Sequence, residues 1–593
     1  MKRFLITTAD ERTWKFDRPV IFLGEWCCRH NRKHIWQAMD GIVAKPYGIE
    51  SKEKLECFDE LKVVTADILL ELTAALNNIH GTNHTERYWN LLLGHWLQRY
   101  IKIIINRYYT LVQAIENYEI RDTICIKAEE YSLIRNDMLD FSKAISSDLW
   151  NHMTYSYILN HFDGLCIEIH HIKLEDDNYK RSFPPDLSTP SNSLMKGFIE
   201  KFSKAILSKL RKDTDALIVN SYLPKKEEIK LHLSLGQVPQ LTNKNTFLPA
   251  VVDREIRGKL NFNTNRYSGL NYHIRNLIPE MLPTCYLEGR KKLIENVNNI
   301  DWPSEPKFIF TSNNFAADEV FKLWTATKVE EGTPYFVGQH GANYGTMYGC
   351  EIWPELTTCD RFLSWGWDNS FYANFKNIIP AFNFKVAGFK KKCFDKSGSL
   401  ILIERGPGSR DGPQDRHYEH ILLQKDVFSF FDELVEIAKD KTIVRLHHGS
   451  KYHGASDEVI WKEHSPRTQL DLGDRDIWDL IKESRIVVYT YDSAGILENM
   501  ALNIPTICFW RGGLEHLLPG AKPYYELLRS VDILADTPKA AAKHISNYWH
   551  DIGSWWDRDD VQEARKIFCE RYSVHSTRPI RTLKSLLLDA ALN

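Results

Sequence analysis

From Lys307 onward the chain alternates short apolar runs with amphipathic segments, and this alternation restricts its fold more than any other feature. The runs Phe308-Thr311, Tyr335-Gln339, Arg361-Ser364, Ser399-Glu404, Thr442-His447, Arg485-Tyr491 and Ile504-Trp510 read as buried strands. Between them lie helical patterns. In one, Val427, Phe430, Phe431, Leu434, Ile437 and Ala438 fall on a single face just before the strand that starts at Thr442. Strands separated by helices pair in parallel through right-handed crossovers, so an α/β fold is expected. Parallel sheets hold ligands beyond the carboxyl ends of their strands, which makes the residues after each run the ones to inspect.

The first half is less regular. Strands are expected at Phe4-Thr8, Val20-Gly24, Thr123-Lys127, Gly164-Glu168 and Leu217-Ser221, with long helices from Leu55 to Asn78 and from Tyr88 to Ile115 inserted among them. The stretch Asp186 to Ser193, beside Pro184, Pro185 and Pro190, reads as a surface loop. A chain of 593 residues exceeds what one core organises, so two domains are expected, with a boundary near Gly388 to Ser397 where the apolar pattern breaks.

Charge and cysteine usage exclude several classes. Lys and Arg number 76 against 78 Asp and Glu, so nothing calls for a nucleic-acid partner. The eleven cysteines are scattered without a CxxC, which argues against a zinc site and for a reducing compartment. The N-terminus turns polar within a few residues, and no apolar window approaches the roughly 18 residues of a membrane span. A cytoplasmic protein is expected, at most peripheral on the inner face of the membrane.

Four strand ends carry residues suited to chemistry. At the end of the strand Tyr335-Gln339 come Gln339, His340, Gly341, Asn343 and Gly345, where glycine admits backbone N–H groups to an anion and the imidazole can donate to a phosphate or a leaving oxygen; a turn with a structural histidine fits equally. After Glu404, a glycine-rich loop holds Arg405 and Arg410, able to neutralise phosphate or simply to form an exposed turn. Arg445, His447 and His448 follow the strand from Thr442, with too few ligands in range for a metal. Most specific is the stretch from Thr490 to Ile507. Its strand ends at Tyr491, Ser493 can cap a helix through Ala494 and Gly495, and Ile496, Leu497 and Met500 form the buried face. The start of such a helix is an anion site, and Glu498, one turn on, could accept from a ribose. No GxGxxG or Walker motif occurs.

On the acceptor side Glu25 follows the strand Val20-Gly24 beside Trp26, where partial desolvation suits a general base; an ion pair with Arg29 or Arg32 would explain it as well. Asp474-Arg475-Asp476 and Asp557-Arg558-Asp559 mimic a DxD metal motif but follow no clear strand, and are read as decoys.

Leu23 to Cys27, Tyr88-Trp89 through Trp96-Leu97, Gly338 to Gly345, Phe362 to Trp367, Thr490 to Trp510, Pro523 to Leu528 and Ala564 to Tyr572 together resemble a transferase family found with bacterial O-antigen and surface-carbohydrate genes. More distantly, the Gln-His-Gly element and the Ser493 to Glu498 helix start look like capsule transferases that use CMP-activated Kdo-type sugars. Asp492 to Gly495 has fewer hydroxyls than relatives offer, and His447-His448 stands where an aromatic-proline pair is common. The resemblance implies a GT-B-like architecture of two Rossmann-type domains with helical insertions in the N-terminal half. Residues 1–390 would form the acceptor-side domain and 391–555 the nucleotide-sugar domain, with the helices of 556–593 returning to the first. It further implies a glycosyltransferase that takes a nucleotide-sugar donor, CMP-linked on the more distant likeness, and a glycan or lipid-linked glycan acceptor, with no metal and no other cofactor. Glu25 and His340 are the catalytic candidates. Gln339, Gly341, Asn343, Arg405, Arg445, His447, Ser493, Ala494, Gly495 and Glu498 are the donor-binding ones. A nucleotide-sugar epimerase or a non-catalytic scaffold would use the same frame.

Overall fold

The computed structural model describes all residues except 1, 128, 174–209, 241–248, 372–376, 391–396, 408–409, 411, 413–415, 448–455 and 592–593. The expected loop at Asp186 to Ser193 and most of the expected boundary lie outside the described residues.

The fold is α/β with parallel sheets, as the alternation requires. Among the described residues there are three five-stranded sheets. The first comprises β1 (Arg3–Ile6), β2 (Val20–Phe22), β3 (Gly41–Val43), β4 (Ile120–Ile126) and β5 (Glu168–Ile172). The second comprises β6 (Leu217–Val219), β7 (Ile309–Thr311), β8 (Tyr335–Gly338), β9 (Arg361–Ser364) and β10 (Ile378–Pro380). The third comprises β11 (Ser399–Ile403), β12 (Thr442–Arg445), β13 (Gln469–Asp471), β14 (Ser484–Tyr489) and β15 (Thr506–Cys508). Neighbouring strands pair in parallel throughout. The second and third sheets build two Rossmann-like units whose carboxyl strand ends face each other, a GT-B-like layout. Ahead of them stands an additional sheet, so residues 1–390 hold two sheets.

The strand orders differ in a way that matters for binding. The first sheet runs β3-β2-β1-β4-β5 and the third β13-β12-β11-β14-β15, so each reverses direction once, at β1/β4 and at β11/β14. The second runs β10-β9-β8-β7-β6 without reversal. A reversal opens a crevice between the two loops that leave in opposite directions, which places the third sheet's crevice after Ile403 and Tyr489.

The helix Glu86–Asn117 joins the first two units. Thr85 caps it by accepting from the Tyr88 N–H, and it is buried on nearly every side, through Trp89, Trp96, Tyr100, Ile103, Ile104 and Leu111. A helix buried over this much of its surface must be enclosed by its neighbours. Here helix Ser51–His80 covers one side, and helices Gly269–Met281, Glu319–Glu330 and Pro354–Thr358 of the second unit cover others. At the far end, helix Asp559–Tyr572 packs on helices Ala494–Ala501 and Lys522–Ser530 of the third unit. The chain then threads into the second, with Val574 donating to the Trp365 carbonyl at 2.9 Å and accepting from the Asn383 N–H at 2.9 Å. Helix Pro579–Ala591 closes the chain against helix Lys225–Ser234. Among the described residues no helix is long and apolar enough to cross a membrane.

Candidate active site at the facing strand ends

The loop after β8 reaches across from the second unit to the third. Met347 bridges Leu517, and the Leu518 N–H donates to the Thr346 carbonyl at 2.7 Å. Beside this seam Lys385, just past β10, places its ammonium 3.1 Å from Glu498 in the first helical turns after β14. Both contacts join carboxyl strand ends of one sheet to those of the other.

Gln339 shapes the loop rather than lining it. Its side chain is only 1% exposed. The amide oxygen accepts from the Trp365 N–H and from Trp367 Nε1, both at 2.8 Å, and the amide nitrogen donates to the Gly341 carbonyl at 2.8 Å. Asn343 takes a left-handed conformation (φ 80), a costly state for a residue with a side chain and a frequent one at functional loops. Gly345 (φ 72) lies so close under Trp367 that a Cβ would fall 2.4 Å from the ring.

His340 emerges from this scaffold between the rings of Tyr222 and Phe315. Burial, aided by the nearby Lys385 charge, pushes its imidazole down to about 4, so it is neutral near pH 7. Its Nδ1 lies 3.1 Å from the Tyr344 hydroxyl, which donates at 2.6 Å to Glu355. The other oxygen of Glu355 lies 3.5 Å from Nε2 of His95. Glu355 is fully buried, and desolvation raises it to about 7. His95 stacks on Phe315 with ring centroids 4.9 Å apart, and burial pushes its imidazole well down.

Across the seam, Ser493 caps helix Ala494–Ala501 by accepting from the Gly495 N–H at 3.2 Å. Gly495 is required by close approach: a Cβ there would meet the Tyr489 hydroxyl at 2.4 Å. The preceding Asp492 turns back into its own unit, where His516 and the Tyr525 hydroxyl approach it at 3.3 and 3.2 Å. Glu498 is raised by burial despite the Lys385 pair, so desolvation outweighs the single ion pair. Ser493, Ala494, Gly495 and Glu498 therefore share one helix start, opposite the loop that carries His340, Gly341 and Asn343.

The other candidates are placed differently. Arg405 lies at the β11/β14 crevice, near Tyr491 and 3.5 Å from Glu419, whose carboxylate Lys54 also reaches at 3.1 Å. Arg445 is turned the other way. Its guanidinium pairs with Asp471 at the end of β13 and donates to the Arg475 carbonyl at 2.7 Å. His447 lies beside Gly406, where a Cβ would be 2.8 Å from its ring. Glu25 belongs to the first unit, in a 3-10 turn (Glu25–Cys27) that packs on helix Arg416–Glu433 of the third. Arg410 closes that junction, stacked 3.5 Å over Trp26 and donating to the Tyr155 hydroxyl at 2.5 Å.

The first DxD triplet does follow a strand, β13, contrary to the sequence reading; that strand is three residues long, and two of them, Gln469 and Asp471, are polar. Asp476 is nonetheless occupied as the N-cap of helix Ile477–Lys482, and Arg558 of the second triplet pairs with Asp560. Among the described residues no three His, Cys, Asp or Glu side chains cluster as they would around a metal ion. Sequence reasoning missed Glu355, Tyr344, His95 and Lys385. Only Tyr344, inside the glycine-rich stretch, carried a signal that could have found it.

A family model described as LIC12162 family transferase matches residues 3–587. No curated protein matches the chain. Among solved structures, the wall teichoic acid polymerase TagF is similar over 67% of this chain and 96% of its own, at 11% identity and a TM-score of 0.32. MurG of Acinetobacter baumannii is similar over 51% and 80%, at 8% identity and 0.29. A glycosyltransferase from Rickettsia africae is similar over 68% and 97%, at 13% identity and 0.31. All three likenesses are distant.

Proposed function

We propose that this chain, which belongs to the LIC12162 family of transferases, moves a sugar from a nucleotide-activated donor to a surface-polysaccharide or O-antigen acceptor. The observation that carries the reading is one juxtaposition: a Ser493-capped helix start at the end of β14 faces, across the seam, a loop that presents a neutral histidine. The helix N-terminus supplies N–H groups and positive potential for a departing phosphate. Arg405, at the same crevice, adds charge, and Glu498 accepts from the ribose once Lys385 shares it. His340 removes the proton of the acceptor hydroxyl as the anomeric centre becomes cation-like. Arginine, imidazole and helix dipole carry the charge without a metal. By the resemblance in the Gln339-His340-Gly341 element, the donor is a CMP-linked Kdo-type or other ulosonic acid, and the acceptor a glycan or lipid-linked glycan met at the inner face of the membrane.

Donor class is read by thermal shift against CMP, UDP, GDP and dTDP, since a bound nucleotide stabilises the native state by mass action. CMP is expected to raise the melting temperature most. Release of the nucleotide that depends on a glycan acceptor identifies transfer, whereas conversion of the donor alone identifies an epimerase and overturns the reading.

Two substitutions follow. Ser493→Ala with Glu498→Ala removes the cap and a charged acceptor, contributions of about 1 and about 1.5–3 kcal/mol. Calorimetric nucleotide affinity should fall by roughly two orders of magnitude; an unchanged titration removes both residues from the donor site. Glu25→Gln tests the alternative base. With the carboxylate in the first unit, transfer in a product assay should stay within about threefold of wild type, and a loss of about 100-fold or more would move the base role from His340 to Glu25.

A further inference from the structure

His340 is a poor place for a proton to stay. Burial and the Lys385 charge hold its imidazole down to about 4, so a proton taken from an acceptor hydroxyl would be returned at once unless it moved on. Behind the ring lies a path. The Tyr344 hydroxyl lies 3.1 Å from Nδ1 and 2.6 Å from Oε1 of Glu355, whose other oxygen lies 3.5 Å from His95. Tyr344, Glu355 and the loop between them are walled by Trp353, whose ring meets Tyr344 edge-on at 4.8 Å, and by Phe362 at 5.1 Å. The path is closed to bulk solvent along its inner half, Tyr344 and Glu355 being 2% and 4% exposed.

We propose that Tyr344 and Glu355 form a proton relay behind His340, with Glu355 the positioning residue that decides which ring nitrogen carries hydrogen. The inference rests on the reading of His340 as the base. A hydroxyl has a single proton to give. While Glu355 is ionised, Tyr344 donates to it and accepts from Nδ1–H, which leaves the Nε2 lone pair bare. When Nε2 takes the acceptor's proton, the Nδ1 proton passes to the Tyr344 oxygen and the Tyr344 proton to Glu355. The ring ends neutral with its hydrogen on Nε2, the carboxyl ends protonated, and no other bond changes. The store is suited to its task because desolvation holds Glu355 at about 7. Recharging sends the Nε2 proton to solvent and shifts each relay proton back one place.

The charges around the relay are accounted for on every side. Lys102 on helix Glu86–Asn117 favours the Glu355 anion, and Arg99 and Lys322 oppose protonation of His95, which is pushed well down. Lys385 faces His340, and the Ser312 carbonyl favours a proton on its ring. Tyr335, Cys350 and Cys359 also face Glu355, and burial pushes all three up, so they stay neutral.

The test reads the tautomer directly. Imidazole nitrogen NMR on the full chain, with His340 assigned by its loss in His340→Gln, should show hydrogen on Nε2 at about pH 5.5 and on Nδ1 at about pH 8.5. Glu355→Gln and Tyr344→Phe should each abolish that response. In the same variants kcat should fall by about 10- to 100-fold and lose its rise through about pH 7, with KM for the donor unchanged. A single wild-type tautomer at both pH values, or a wild-type response in either variant, overturns the relay. Tyr344→Phe removes one oxygen and carries the test if Glu355→Gln does not fold. If the tautomer responds as expected while His340→Ala still transfers, the relay stands and the base assignment fails.

Discussion

Replacing His340 with alanine should lower kcat for sugar transfer by about 10²- to 10⁴-fold and leave nucleotide affinity nearly unchanged. The expectation follows from where the ring sits. It is held on the second unit, between Tyr222 and Phe315, while the helix start proposed to grip the nucleotide belongs to the third. Truncation therefore removes a proton acceptor without touching the capped helix. A neutral imidazole needs no prior deprotonation near pH 7, so the loss should persist across the alkaline range. The measurement is steady-state transfer with donor titration. A variant that keeps wild-type kcat, or that loses nucleotide affinity to the same degree as kcat, would place the ring on the donor phosphate instead.

A second large effect is expected from Gln339→Ala, and it is one of stability. The side chain is buried, and both its amide oxygen and its amide nitrogen are hydrogen-bonded inside the protein. Its loss leaves the Trp365 N–H and Trp367 Nε1 without their acceptor, at about 1–3 kcal/mol each. It also frees the Gly341 carbonyl. The sum for the two donors, about 2–6 kcal/mol, is large against the usual margin of a folded domain. Chemical denaturation should show the transition that contains the second unit move to lower denaturant, with nucleotide affinity of the remaining folded protein retained. An unchanged transition would mean that the amide is not the anchor of the loop, and the donor-binding reading of Gln339 would regain its ground.

The parallel α/β plan was legible because central strands are apolar on both faces. β8, β11 and β14 read as unbroken hydrophobic runs, and their carboxyl ends fell within a residue or two of the reading. Exposed or polar edge strands were not, although β6 and β15, edge strands buried along their length, were. β3 is exposed along most of its length, β10 ends in proline, and β5 carries Glu168, His170 and His171, so the strand read at Gly164-Glu168 begins only where that reading ended. Without β3 and a correct β5, the first sheet could not be distinguished from helical decoration of the next. At the site, Ser493 was found because a cap is local chemistry, spelled out by three or four consecutive residues. The pairing of Arg445 was not legible because its partner, Asp471, is supplied by a neighbouring strand. Glu355 was invisible for a related reason. In Trp353-Pro354-Glu355 it reads as an ordinary first-turn acid, and only the packing of helix Glu86–Asn117 over it creates the desolvation that sets it apart.

That enclosed helix has one more implication. Because its surface is shared between the first and second sheets, neither can be taken away without stripping the other of its cover, and the N-terminal third is not a detachable appendage. The remaining unit meets the rest through contacts that include a short backbone bridge, the Lys385 and Glu498 pair, the Lys54 and Glu419 pair, the junction around Arg410 and the crossing segment at Ser573 and Val574. Relative movement of units, where it occurs, is therefore confined to the joint between this unit and a base made of the other two.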